Sequence, residues 1–256
     1  EPWTSDLTEA GTIRLADVTP GPGSGTPSAR DATWSVVASR LLFAADDGTS
    51  GAEPWTSDGT PAGTGRLRDI RPGADGSLAT IAAFAPAGSG AVFAAGDGAT
   101  GVEAWITDFT EAGTRLLFDA NTIASSKPED FVTLGRLVVF TADDGVRGRE
   151  PWVSDGTGSG TRLLRDVRPG AAGSNPGELE RVGGRVFFRA DDGANGAELW
   201  ATDGTPEGTA LVRDVRDGAA GSNPRMLTAV GDRLHFACDD GAIGDEPWTS
   251  DGTAAG

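Results

Sequence analysis

The residues whose types and spacing could do chemistry are acidic, and they come in a fixed phrase. Asp46-Asp47-Gly48, then Gly51 and Glu53, sets three carboxylates around a glycine turn. The pattern Asp-Asp-Gly-x-x-Gly-x-Glu returns as Asp143, Asp144 and Glu150, as Asp191, Asp192 and Glu198, and as Asp239, Asp240 and Glu246. Calcium takes roughly six to eight oxygen ligands, which clustered carboxylates and backbone carbonyls can supply. These residues are therefore candidates for calcium. Against that, the spacing is not that of an EF-hand loop, and Gly96 replaces the first Asp in one copy. The competing reading is structural, because an Asp side chain bonds backbone amides two residues on and fixes a turn.

The phrase belongs to a repeat that runs the length of the chain. Glu1-Pro2-Trp3 recurs as Glu53-Pro54-Trp55, Glu103-Ala104-Trp105, Glu150-Pro151-Trp152, Glu198-Leu199-Trp200 and Glu246-Pro247-Trp248. Successive Trp residues lie 52, 50, 47, 48 and 48 apart. Self-similarity at this period marks a repeat architecture. Within 176–215 the pattern predicts four short strands: Pro176–Val182, Arg185–Ala190, Glu198–Thr202 and Thr209–Val215. Gly183-Gly184 gives the first hairpin, since two-residue turns of this kind need positive φ. No stretch has helical periodicity, so the fold class is all-β, a β-propeller of four-stranded antiparallel blades of about 48 residues.

Complete blades are expected at 24–70, 77–120, 128–167 and 176–215, in one array over 1–256. Residues 1–18 supply strands three and four of another blade, and 224–256 supply strands one to three. If these ends meet they complete a fifth blade, but strand three is then present twice, which favours a piece of a larger propeller. The uncharged stretch Ser77–Gly96 aligns with a strand-turn-strand unit and is broken by Pro86 and Gly88, so it reads as a hairpin and not a membrane span.

Strand alternation places Phe43, Phe93, Phe140, Phe188 and Phe236 on one face, each with Ala or Cys238 two residues on. His235, the only His, falls on the opposite face at an otherwise apolar position, and is expected as a core histidine. The recurring Trp reads as packing between blades, and Pro at the start of strand three as a residue that need not donate to the ladder. Trp34 lies in a first strand without a counterpart in other repeats, in the longest repeat, next to the Thr19–Pro27 connection. It is the candidate ligand-binding aromatic.

Composition narrows the partners. The net charge is −17, which repels nucleic acid and anionic lipid. Of the 38 acids, 26 occupy recurring positions: the strand-three Glu, the turn Asp (Asp6, Asp58, Asp108, Asp155, Asp203, Asp251), the Asp near the end of strand four (Asp17, Asp69, Asp119, Asp166, Asp214) and the loop pair. The strand-four Asp shares a face with an apolar residue two before it. It is expected to need donors, from the next connection's amides or an Arg. Arg68, Arg165 and Arg213 point to the other face and are expected to pair between blades. A single Cys excludes an internal disulfide.

Those repeated residues, E-[PL]-W-x-[ST]-D-G-T with a trailing Gly-Thr, resemble the ELWxxDGT repeat family. Leu7 and Phe109 stand where the turn Gly is found in the other copies. The resemblance implies a secreted or cell-surface bacterial β-propeller, part of a longer multidomain chain, with no catalytic residues to carry over. The expected function is a non-enzymatic recognition or scaffold module for a protein or carbohydrate ligand, with no cofactor unless calcium. Two alternatives stand beside it: a calcium-stabilised structural segment of a large surface protein, and a propeller-type glycoside hydrolase. No Ser/His/Asp or Cys/His set can be assembled. A hydrolase would need two acids outside the repeat to converge on one centre.

Overall fold

A computed structural model describes residues 1–26, 34–78 and 84–255. Its strands follow the repeat. A two-stranded sheet holds β1 (Trp3–Thr4) and β2 (Ile13–Arg14). The next is β3 (Ser35–Val37), β4 (Arg40–Asp46), β5 (Ala52–Ser57) and β6 (Gly65–Arg66), and after it β7 (Ala85–Ala87), β8 (Gly90–Gly96), β9 (Val102–Thr107) and β10 (Arg115–Phe118). Then come β11 (Glu129–Leu134), β12 (Leu137–Asp143), β13 (Arg149–Ser154) and β14 (Arg162–Leu163), followed by β15 (Gly177–Val182), β16 (Arg185–Asp191), β17 (Ala197–Thr202) and β18 (Ala210–Arg213). The last sheet has three strands, β19 (Arg225–Val230), β20 (Arg233–Asp239) and β21 (Asp245–Ser250). Every pairing is antiparallel between sequence neighbours, with no crossover inside a sheet. The sheets fall into two compact units, Glu1–Asp119 and Ala120–Gly256. Parts of the first strands expected in 24–70 and 77–120, and Pro27 of the first connection, lie outside the described residues.

The register explains the core. Each second-strand Phe pairs with the third-strand Trp: Phe43 with Trp55, Phe93 with Trp105, Phe140 with Trp152, Phe188 with Trp200 and Phe236 with Trp248. Phe43, Phe93, Phe140 and Phe188 are all but inaccessible, as are Ala45, Ala95, Ala142, Ala190 and Cys238 two residues on. Burial pushes the Cys238 thiol up to about 11, so it stays a protonated packing group. The two-residue turn at Gly183-Gly184 is present with Gly183 at positive φ, and Ala38-Ser39 also makes a two-residue turn, there with both residues at positive φ.

Four expectations need correction. His235 is exposed, because within the 120–256 unit no further sheet covers that face of β20. Trp34 does have counterparts. It stacks on Phe43 with centroids 5.1 Å apart, as Phe84 meets Phe93 at 5.1 Å and Phe131 meets Phe140 at 5.3 Å. Pro54 and Pro151 sit inside their strands rather than at the first position. Their carbonyls accept from Leu67 and Leu164, so the missing N–H faces only the two-residue strands β6 and β14. The fourth strand is also shorter than expected: β18 ends at Arg213, and Asp214 lies beyond it.

Candidate functional site

The recurring acids are spent on the chain's own backbone. In the turn after strand three, Asp155 Oδ1 accepts from Thr157 N at 2.9 Å and from Thr157 Oγ1 at 2.7 Å. That hydroxyl in turn accepts from Gly160 N at 3.0 Å. Ser154 Oγ and Thr161 Oγ1 lie 2.7 Å apart, and Thr161 Oγ1 donates to Thr157 O. The same network recurs around Asp58, Asp108 and Asp203. It gives the whole [ST]-D-G-T…G-T phrase a polar job inside one turn. The trailing glycine is required by contact: a Cβ on Gly160 would lie 2.0 Å from Asp155 Oδ1.

The Asp-Asp-Gly loops behave alike. Asp46, Asp143, Asp191 and Asp239 each accept from the glycine amide two residues on, at 2.7–2.8 Å. Asp47, Asp144, Asp192 and Asp240 each accept from the amides two and three residues on. Against the opposing effect of partial burial, the Thr49 hydroxyl, these amides and the Arg66 charge hold the Asp47 carboxyl down at about 2. The other oxygen of Asp191 takes Arg168 Nη1 at 2.7 Å, and that of Asp239 takes Arg216 Nη1 at 2.7 Å. Where Gly96 replaces this Asp, Arg71 turns instead to Asp75.

The strand-three glutamates face elsewhere. Glu53, Glu103, Glu150 and Glu198 are fully buried. Glu150 accepts from the amides of Val167, Arg168 and Ser174 and from Ser174 Oγ at 2.6 Å. Glu198 does the same with Val215, Arg216 and Ser222. Burial raises these carboxyls above the ordinary range against the pull of those donors. The connection they hold is tied onward, since Ser174 O accepts from Asp191 N and Ser222 O from Asp239 N. Glu150 and Glu198 are thus rivets between one sheet and the next. Glu246 alone among the loop-motif glutamates is exposed. Among the described residues no group of three or more His, Cys, Asp or Glu side chains converges on a metal position.

Two further expectations shift. The amides expected to serve the strand-four Asp go to the Glu, because the chain has left the strand by that point. Asp69, Asp166 and Asp214 each keep one buried oxygen without a hydrogen-bond partner. Arg68 and Arg165 do reach the next sheet, but they donate to carbonyls, those of Thr114 and Thr209.

What remains is a set of charges that the repeat does not dictate, on the first strands of the 120–256 unit. A register shift interrupts β11, β15 and β19 at the same place, and there Asp130, Glu178 and Met226 stand at φ of 54°, 60° and 57°. Bulges of this kind re-aim side chains, and non-glycine residues at positive φ mark positions where the backbone is held against its preference. Glu178 accepts from Met226 N at 2.9 Å, and Glu180 from Ala229 N at 3.0 Å. Arg149 pairs with Glu129 at 3.4 Å and donates to Thr141 Oγ1 at 2.7 Å. A methyl placed on Gly177 would lie 3.7 Å from Arg189 Nη2 and 3.9 Å from Asp130 Oδ2, so both side chains reach the start of β15. Surrounding protein raises the Asp130 carboxyl, and the charges of Glu129 and Glu178 add to that. Asp130, Glu178 and Met226 are all exposed.

No family model matches the chain, and none of the curated proteins does. Solved structures match its fold. A prolyl endopeptidase aligns over 86% of this chain and 34% of its own, at 13% identity and a TM-score of 0.54. A puromycin hydrolase aligns over 95% and 39% respectively, at 17% identity and a TM-score of 0.50. The chain therefore spans about a third to two fifths of the length of these proteins. At such identities the likeness concerns the fold alone, an all-β array of repeated antiparallel sheets with propeller-type neighbours. Sequence reading missed the first-strand set because its members differ in type from repeat to repeat. Its signal was the same difference read the other way: acids at 129, 130, 178 and 180 that no other repeat requires.

Proposed function

We propose that the chain is a propeller-type recognition module of the ELWxxDGT kind, non-enzymatic and exported. In this reading it binds a protein or carbohydrate ligand through the first-strand surface around Asp130 and Glu178. The observation that carries this is the division among the acids. Most of those written into the repeat are consumed by turns, loops and connections, whereas Asp130 and Glu178 stand where residue type varies, are exposed, and sit on a backbone held at positive φ. A repeated scaffold that fixes its frame and varies one surface is organised for binding.

The test is a glycan-array and solid-phase protein-binding screen of the chain beside its Asp130→Asn/Glu178→Gln variant, each with calcium and with chelator. The expected result is binding that the variant loses and the chelator leaves unchanged. Binding that survives the substitutions would place the ligand elsewhere. Binding that needs calcium would return the Asp-Asp-Gly loops to the site.

One observation favours a second reading, a glycoside hydrolase. Asp130 has a raised carboxyl and two neighbouring acids, the arrangement in which one carboxyl keeps its proton while another ionises. Turnover of an aryl glycoside that Asp130→Asn abolishes would establish that reading instead.

A further inference from the structure

One cleft in the 1–119 unit lies where a single repeat departs from the others at several places together. Its floor is the cross-strand pair Thr56–Gly65. The matching pairs elsewhere are Ile106–Arg115, Val153–Arg162 and Ala201–Ala210, each with a side chain on both strands. A Cβ added to Gly65 would meet nothing within 4 Å. Facing the floor is Phe109, at φ 68° in the turn position that is glycine in four of the six repeats. The resulting cleft has a volume of about 300 Å³ and is lined by Arg40, Thr56, Thr64, Arg66, Phe109 and Glu111, among others.

Its polar groups are ready for a ligand. The Arg40 guanidinium lies over the Phe109 ring at 5.7 Å and makes no ion pair with a carboxylate among the described residues. The Arg66 side chain belongs to the other face of the sheet, since Arg66 pairs with Trp55 and its Nη1 is held by Asp47 at 3.1 Å and by Ser50 Oγ. Thr56 is 7% exposed, yet its Oγ1 has no hydrogen-bond partner. A buried hydroxyl without a partner costs free energy unless something completes it. In a chain of charge −17, a guanidinium with no ion pair among the described residues, beside an open hydroxyl, is an uncommon arrangement.

The geometry points to a binding site for a small hydroxy-carboxylate, of the class of a uronic acid sugar. The carboxylate meets Arg40, whose planar fork matches it. A ligand hydroxyl completes Thr56, and the Phe109 edge packs on the ring. Glu111 at the rim and the Asp58 carboxylate near Arg40 disfavour a dianion such as phosphate. The cleft requires nothing of the first-strand surface.

The test is a titration of the isotope-labelled chain with D-glucuronate, D-glucose and inorganic phosphate, followed by NMR at the backbone amides and the Arg Nε–H groups. Glucuronate is expected to shift Arg40 and Thr56 and to saturate near roughly 1 mM, the range for a ligand of this size. Glucose and phosphate are each expected to bind at least tenfold more weakly. Gly65→Arg, which restores the side chain found at 115 and 162, should abolish saturation. Thr56→Val, which restores the side chain found at 153, keeps the test valid if the first variant does not fold, and should weaken binding at least threefold. Asp130→Asn/Glu178→Gln should leave these shifts unchanged, which separates this site from the surface proposed above. Equal binding of phosphate, no saturable shift, or binding undiminished in both cleft variants would overturn the assignment.

Discussion

A carboxylate in this chain is best understood by what it accepts from. The turn aspartates and the second aspartate of each Asp-Asp-Gly loop accept amides within three residues of themselves and are held below their ordinary value, Asp47 as far as about 2. The stability this gives is present at neutral pH and is lost as pH falls through the folded values, so loss begins below about 3.8, where the unfolded aspartates titrate. The buried glutamates act with the opposite sign. Glu53, Glu150 and Glu198 are raised from 4.5, so their contribution is intact below 4.5 and lost as pH rises through the folded values. Thermal unfolding followed across pH 2 to 8 (~0.5 pH steps) should therefore show a maximum in the mildly acidic range. A melting temperature that climbs steadily to pH 8 would contradict the buried-Glu assignment. Steric need can be read as directly. Gly160→Ala forces a methyl onto the Asp155 carboxylate and should cost about 1–3 kcal/mol in a denaturant melt. Trp34→Phe should cost under about 0.5 kcal/mol, because Phe fills the same slot at 84 and 131.

Each element depends on contacts that its own sequence does not announce. Strand three carries the Glu, but what the Glu holds lies 17 to 24 residues later, at Val167 and Val215 and in the connections 168–174 and 216–222 that follow them. Those connections, with Arg71–Ser77, share the pattern Arg-x-Gly-Ala-x-Gly-Ser. Their second glycine meets the second glycine of the preceding loop: a Cβ on Gly221 would lie 2.4 Å from Ala197 N, and one on Gly196 would lie 2.5 Å from Gly221 N. Gly221→Ala should therefore loosen the connection locally. Faster amide exchange at Ser222 and Asn223, with the β16–β17 amides unchanged, is the expected pattern. Strand count, order and hairpin turns were legible because period-two alternation and turn glycines are local signals. The third-strand Pro, the short fourth strand and the target of the Glu were not, since all depend on where the chain goes after it leaves the sheet.

For the molecule as a whole, composition told more about what is excluded than about what is bound. An acidic surface argues against nucleic acid, and the repeat explained most of the acids, which hid the few that it does not explain. Aligning by residue type made Trp34 look unique and left Asp130 and Glu178 unremarked. Alignment by position reverses both judgements, since the aromatic slot recurs while the first-strand charges change. The measurement that tests this division most directly is a pair of thermal melts, Glu150→Gln against Asp130→Asn. Glu150→Gln leaves buried amides facing a side-chain NH2 and should cost about 3 kcal/mol, a fall of roughly 6–10 °C. Asp130→Asn should hold or raise the melting temperature, because Asn accepts positive φ and relieves a crowded acid. If Asp130→Asn proves the more destabilising of the two, the first-strand acids belong to the frame, and the surface proposed for binding is structural.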